Sequence, residues 1–175
     1  MRYYVSLAAL AATLVAATPA MAASTATATA NARGIVLKSL SLTSSSDLDF
    51  GTVAADATLP GTVSVNSDTG ARTTTGAVVA LPGSFGRAQF DGLGDPNASV
   101  QLTLTQPAGG VICTGGAACP ASIPAVLSLD TGGLTTRTTD GLGRFTVFVG
   151  GAFSIAANQQ NGTYSSQFDL TAVYP

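Results

Sequence analysis

Carboxylates, thiols, a single ammonium and a wealth of hydroxyls are the only reactive groups this chain of 175 residues can bring to a reaction, because it has no His and all nine of its acids are Asp. Asp47 and Asp49 stand two residues apart, a spacing that places both acids on one face of a strand, where paired carboxylates could hydrolyse a bond. No other feature around them marks a pocket, and acids beside an edge strand discourage aggregation, so a structural role is the expectation. Lys38 is the only Lys, with Ser39 and Ser41 nearby as partners for Ser-Lys hydrolysis. Adjacent strand residues point to opposite faces, which makes Lys38 a solvated edge charge. Asp91-Gly-Leu-Gly-Asp95-Pro-Asn97 gathers hard oxygens in a glycine-rich turn, as a calcium loop does, but without the bidentate Glu and regular spacing of an EF-hand. Asp and Asn are favoured in such turns by their own side-chain hydrogen bonds. The lack of His and Glu removes the Ser-His-Asp triad, the His-bearing zinc site and the Glu general base. A non-enzymatic protein with no catalytic, cofactor-binding or metal-binding residues is therefore expected.

Cys113 and Cys119, separated by Thr-Gly-Gly-Ala-Ala, are the only thiols. An oxidising compartment would join them across this short loop, for on the order of 2 kcal/mol. Two thiolates without His would leave a zinc shell half empty. Export is also what the amino terminus implies: Met1-Arg2, the apolar run Val5 to Ala17, and Pro19-Ala-Met-Ala22 read as a signal peptide over residues 1–22, cleaved between Ala22 and Ala23. Its apolar run is shorter than the ~20 residues of a spanning helix. The remaining chain carries six cations against nine anions, a balance of −3, with its Arg residues scattered singly. Nucleic acid is thus not expected as a partner. Asn97-Ala-Ser and Asn161-Gly-Thr fit the N-glycosylation pattern, although a turn explains the second Asn-Gly more simply.

The elements that would position these residues are strands. Ala26, Ala28, Ala30 and Ala32 alternate with polar residues within 23–32, which in an extended chain separates an apolar from a polar face over roughly 33 Å. Ile35 and Leu37 then give way to Leu40 and Leu42, a change of parity that predicts a bulge. Short alternating segments follow at Leu48-Asp-Phe50, Thr62 to Val65, Gly76 to Leu81, Ala88 to Phe90 before Asp91-Gly92, and Val100 to Leu104. Leu127 and Leu129 lead into Asp130-Thr-Gly-Gly133. Phe145 to Val149 form a strand ended by Gly150-Gly151, with another begun by Phe153 and Ile155. Tyr164, Phe168, Leu170, Ala172 and Tyr174 share one parity and predict a long terminal strand. Eight to ten strands without a helical period predict an all-β, antiparallel sandwich. We expect an extended amino-terminal arm over 23–33 and one domain over 34–175.

Ala-Asn-Ala-Arg33 before an apolar strand, Asp47-Leu-Asp-Phe-Gly-Thr-Val53, Phe148-Val-Gly-Gly151, and Asn161-Gly-Thr-Tyr-Ser165 through Val173-Tyr174 resemble the DUF4402 family of secreted Gram-negative proteins. More widely the chain is similar to subunits of chaperone-usher pili of the spore-coat-U-like type. The resemblance implies an immunoglobulin-like, pilin-like sandwich exported to the periplasm, cell surface or exterior, with other protein subunits and a periplasmic chaperone as partners. It also implies strand donation, in which a terminal segment of one copy completes the sheet of the next. Ala26, Ala28, Ala30 and Ala32 are the donating candidates, with Ile35 and Leu37 as stronger plugs in a longer arm, and Tyr174 closes the last strand. The competing expectation is a secreted monomeric module binding glycan or calcium through turns such as 91–97.

Overall fold

The computed structural model describes residues 25–107, 111–113 and 122–175, the side chains of Val111 and Cys113 excepted. The predicted leader with its Ala22/Ala23 cleavage site, and the predicted Cys113–Cys119 bridge, lie outside the described residues. The chain divides into two units, residues 1–35 and 36–175. Within the first, residues 25–35 are exposed and form neither helix nor strand, so the alternation of Ala26, Ala28, Ala30 and Ala32 is not accompanied by a strand.

Within the second unit the described strands are β1 (Ser41–Ser46), β2 (Val53–Ala54), β3 (Gly61–Val65), β4 (Arg72–Gly76), β5 (Val79–Ala80), β6 (Ala88–Leu93), β7 (Ser99–Thr105), β8 (Val111–Cys113), β9 (Ser122–Leu129), β10 (Thr136–Thr138), β11 (Arg144–Ile155) and β12 (Asp169–Val173). All pairings are antiparallel. The largest sheet is organised by β11. Val149 pairs with both Ala88 of β6 and Leu129 of β9, and Gly151 with both Val65 of β3 and Leu127 of β9. A strand residue has only two lateral neighbours, so β6 and β3 follow one another along one margin of β11 while β9 takes the other. β1 extends this sheet beyond β6, and β4 extends it beyond β3. A smaller sheet runs β10-β7-β12, and β2 pairs with β5. Val63, Phe90 and Val147 from the large sheet and Val100 and Leu102 from the small one join a single buried core. The fold is all-β, as the alternation predicts.

Several boundaries differ from the sequence reading, each for a physical reason. Gly150-Gly151 is not a turn: β11 runs straight through it where its partner changes from β6 to β3. A Cβ on Gly150 would lie 2.5 Å from the Ser67 nitrogen, so glycine serves close approach of two backbones. Asp91-Gly92 is likewise inside β6, and a Cβ on Gly92 would fall within the Phe145 ring that covers it. Of the strand read at Gly76 to Leu81 only β5 remains, because Gly76 (φ 73°) ends β4 and turns the chain in the left-handed region. The parity change between Leu37 and Leu40 precedes β1, and its bulge lies lower, between Ser44 and Ser46. Finally, the terminal strand covers 169–173 instead of starting at Tyr164. Tyr164, Phe168, Leu170, Ala172 and Tyr174 nonetheless pack against the core.

Candidate functional site

The second unit leaves two strands with a free lateral margin beside each other. β1 pairs only with β6, and β12 only with β7, among the described residues. Between these two strands opens a cleft of about 1230 Å³. β1 contributes Leu42, Ser44 and Ser46 to its wall, β12 contributes Asp169 and Leu170, and the segment before β12 contributes Tyr164 and Phe168. Its floor reaches core side chains: Phe50 and Phe153, whose rings meet edge-on with centroids 4.7 Å apart, and Phe90, edge-on to Phe168 at 6.0 Å. Leu42, Leu48, Tyr164, Phe168 and Leu170 are only half-buried, although all touch the core.

Beyond the end of the cleft at which β1 starts and β12 stops, Tyr174 ties the chain together. Its hydroxyl accepts a hydrogen bond from the Asp95 backbone N–H (2.6 Å) and donates one to the Lys38 carbonyl oxygen (2.9 Å). The Lys38 N–H in turn reaches Asp95 Oδ1 at 3.3 Å. This clasp joins the chain before β1 to the chain after β12, and neither Lys38 nor Tyr174 lines the cleft. The opposite end, the mouth, is formed by residues 47–55 and 159–168.

Arginine holds the mouth in shape. Arg72 donates to the carbonyl oxygens of Phe50 (3.3 Å) and Leu81 (2.8 Å) and lies over the Phe85 ring at 4.5 Å. Gly51 (φ 74°) allows the turn there, and the Asp49 carboxylate accepts the Gly51 N–H (2.7 Å) and the Ser84 hydroxyl (3.2 Å). Asp49 also pairs with Gly86 as an isolated bridge. Asp47 and Asp49 therefore sit beyond the end of β1, at the mouth, and do not share a strand face as the spacing predicts. Both line the cleft together with Asp169, and no Lys or Arg is among its described wall residues.

The remaining candidates are dispersed. The Asp91 carboxylate is engaged by the hydroxyls of Ser45 and Thr146 (2.8 Å) and by the Gln89 amide, and these donors, Ser45 foremost, hold its pKa below the ordinary carboxylate value. Asp95 belongs to the Tyr174 clasp, and Asn97 turns the chain at φ 54°. The predicted calcium loop thus divides its oxygens between a sheet face, a clasp and a turn. Among the described residues no three acids or cysteines are gathered as a metal site. Lys38 acts through its backbone, and the Ser41 hydroxyl lies 3.4 Å from the Leu93 carbonyl oxygen.

Ile35 and Leu37, the expected plugs, are exposed. Sequence reading assigned Leu42, Leu48, Phe50 and Phe153 to strands without seeing that they surround a cleft. No local pattern could reveal it, because a missing lateral neighbour is a property of topology. Tyr174 was legible as the close of the last strand, but its hydrogen bonds to residues far earlier in the chain were not.

No helix among the described residues is long and apolar enough to cross a membrane. No curated protein and no solved structure matches the chain. A protein-family profile, Domain of unknown function (DUF4402), matches residues 40–174, from the residue before β1 to the Tyr174 clasp. The chain belongs to the DUF4402 family.

Proposed function

We propose that this protein is a non-enzymatic, exported structural or adhesive subunit that associates by accepting a β-strand in the cleft between β1 and β12. In this reading the second unit is an immunoglobulin-like, pilin-like sandwich short of one strand. The observation that carries it is the pair of unpaired margins flanking half-buried apolar side chains. Backbone N–H and C=O groups on such margins supply affinity to an added strand, and alternate side chains of that strand cover the apolar wall. The occupant is the amino-terminal arm of a second copy. From Ala26 onward its even-numbered face is Ala26, Ala28, Ala30, Ala32, Gly34 and Val36, without a polar side chain. Small side chains suit a wall already filled by Phe50, Phe90, Phe153 and Phe168. The assembly would lie in the periplasm, on the cell surface or outside a Gram-negative cell, with a periplasmic chaperone covering the cleft beforehand.

The test compares the exported chain with one beginning at Val36, which retains the whole second unit. The exported chain should form larger species as concentration rises, whereas the shortened one stays monomeric. A peptide of residues 23–37 should bind the shortened chain and raise its melting temperature, because a ligand of the folded state alone stabilises it by mass action. An exported chain that stays monomeric, together with a peptide that produces no shift, overturns the proposal.

A further inference from the structure

We infer that Arg33 of the donated arm pairs with Asp47 at the mouth of the receiving cleft and so fixes the register of the added strand. The inference rests on the strand-addition reading above. Charge is the first support. The described wall of the cleft carries Asp47, Asp49 and Asp169 with no Lys or Arg, and between Ala23 and Leu37 the only charged side chain is Arg33. Of the three acids, Asp49 already accepts hydrogen bonds from Gly51 and Ser84. Asp169 shares the parity of Thr171 and Val173, the exposed face of β12. Asp47 is exposed and follows directly on β1, at the mouth.

Length is the second support. With Arg33 at the mouth, residues 25–32 precede it, about 26 Å of extended chain, and β1 flanks the cleft for about 20 Å. The four Ala of the even face then lie along the apolar wall. The inserted segment runs from the clasp end to the mouth, alongside β1 in the same direction and antiparallel to β12.

The clasp makes this arrangement intermolecular. Lys38, the root of the arm, is held at the clasp, before β1, by the Tyr174 hydroxyl. For its own Arg33 to reach its own Asp47, the segment from Lys38 to Arg33, about 17 Å when extended, would have to double back along all of β1, about 20 Å. Even then residues 25–32 would project out of the mouth and leave the cleft unfilled. A second copy meets neither obstacle. Root and mouth lie at opposite ends of the domain, so the contact is heterologous and propagates head to tail.

The experiment is a charge exchange in the full chain, expressed with its own leader, purified after export and studied by sedimentation velocity over a range of concentrations. Arg33→Asp alone and Asp47→Arg alone should each weaken association about tenfold, since each removes an attraction and adds a repulsion. Arg33→Asp combined with Asp47→Arg should return it to within about threefold of the original, a recovery that a general loss of arm binding would not show. Coincident thermal melts establish that these exposed substitutions leave the fold intact. If the unaltered chain never associates, the strand-addition reading falls and this inference with it. Association unaffected by Arg33→Asp overturns the register alone, and so does a defect relieved by Asp169→Arg but not by Asp47→Arg.

Discussion

Replacing Gly150 by Ala puts one methyl group at the crossing where β11 exchanges β6 for β3. Gly150 is buried, and a Cβ there meets first the Val65 carbonyl oxygen, with the Ser67 nitrogen at 2.5 Å and its Cα at 2.8 Å. Ordinary contact begins at 3.4 Å, so the two backbones must part by about 0.9 Å. Unlike a side-chain tip, these atoms cannot rotate away: Ser67 follows β3, and its hydroxyl binds the Leu129 carbonyl oxygen at 3.2 Å. Overpacking a core costs about 1–3 kcal/mol, and a clash between backbones in a ladder belongs at the upper end. A loss of about 3 kcal/mol lowers the melting temperature by about 9 °C in a domain of this size. Urea unfolding of Gly150→Ala beside Gly141→Ala measures it, because nothing lies within 4 Å of a Cβ at Gly141. Gly141→Ala should be neutral or slightly stabilising. A loss under about 1 kcal/mol at Gly150 would refute the crowding argument.

Other perturbations reach different parts of the unit. Arg137 pairs with Asp130, their side chains 12% and 10% exposed, so Arg137→Ala should cost about 3 kcal/mol in equilibrium unfolding by leaving a buried carboxylate unpaired. Tyr174→Phe deprives Asp95 N–H of its acceptor and Lys38 of its donor; a loss of about 1–2 kcal/mol and faster hydrogen exchange at Asp95 are expected, and unchanged exchange would contradict the clasp. The exposed Asp140 has its pKa lowered by the backbone N–H groups of Arg144 and then Leu142. Its contribution is present above the unfolded value of about 3.9 and disappears as pH falls through the lower folded value. Asp140→Asn should therefore melt below the unaltered chain at neutral pH, with the gap narrowing under about pH 4. A gap that is constant with pH would count against this origin.

What could be read from the residues depended on whether the cause was local. Val100, Leu102 and Leu104, or Phe145, Val147 and Val149, alternate because one face of their strand is buried, so their strands were visible in advance. Glycine was the main source of error. Gly150, Gly151 and Gly92 carry the same letter as a turn residue, but their reason is a neighbour distant in sequence: Val65 and Ser67, Leu127, or the Phe145 ring. β4 was missed because Arg72-Thr-Thr-Thr-Gly76 at a sheet margin has little apolar contrast between its faces. At the cleft, Tyr164, Phe168, Leu170 and Tyr174 pack against the core as their shared parity predicts, while Asp47 and Asp49, read on one face of a short strand, lie in the irregular segment after β1, where Asp49 makes only an isolated bridge to Gly86. The arm's pattern was legible, but a pattern of alternation does not say what it pairs with.

The position of β11 in the sequence governs the order in which the domain can be built. β1 with β6, β3 with β4, and β8 with β9 are all synthesised before it, yet no strand pairing among the described residues joins these three pairs into one sheet until residues 144–155 exist. A nascent chain halted before residue 144 thus has two-stranded pairs without the central strand of the large sheet, and an isolated two-stranded pair is marginal in water. The sheet is completed from its middle outwards, late, by contacts that close long loops, which makes for slow folding and a long-lived unfolded polypeptide.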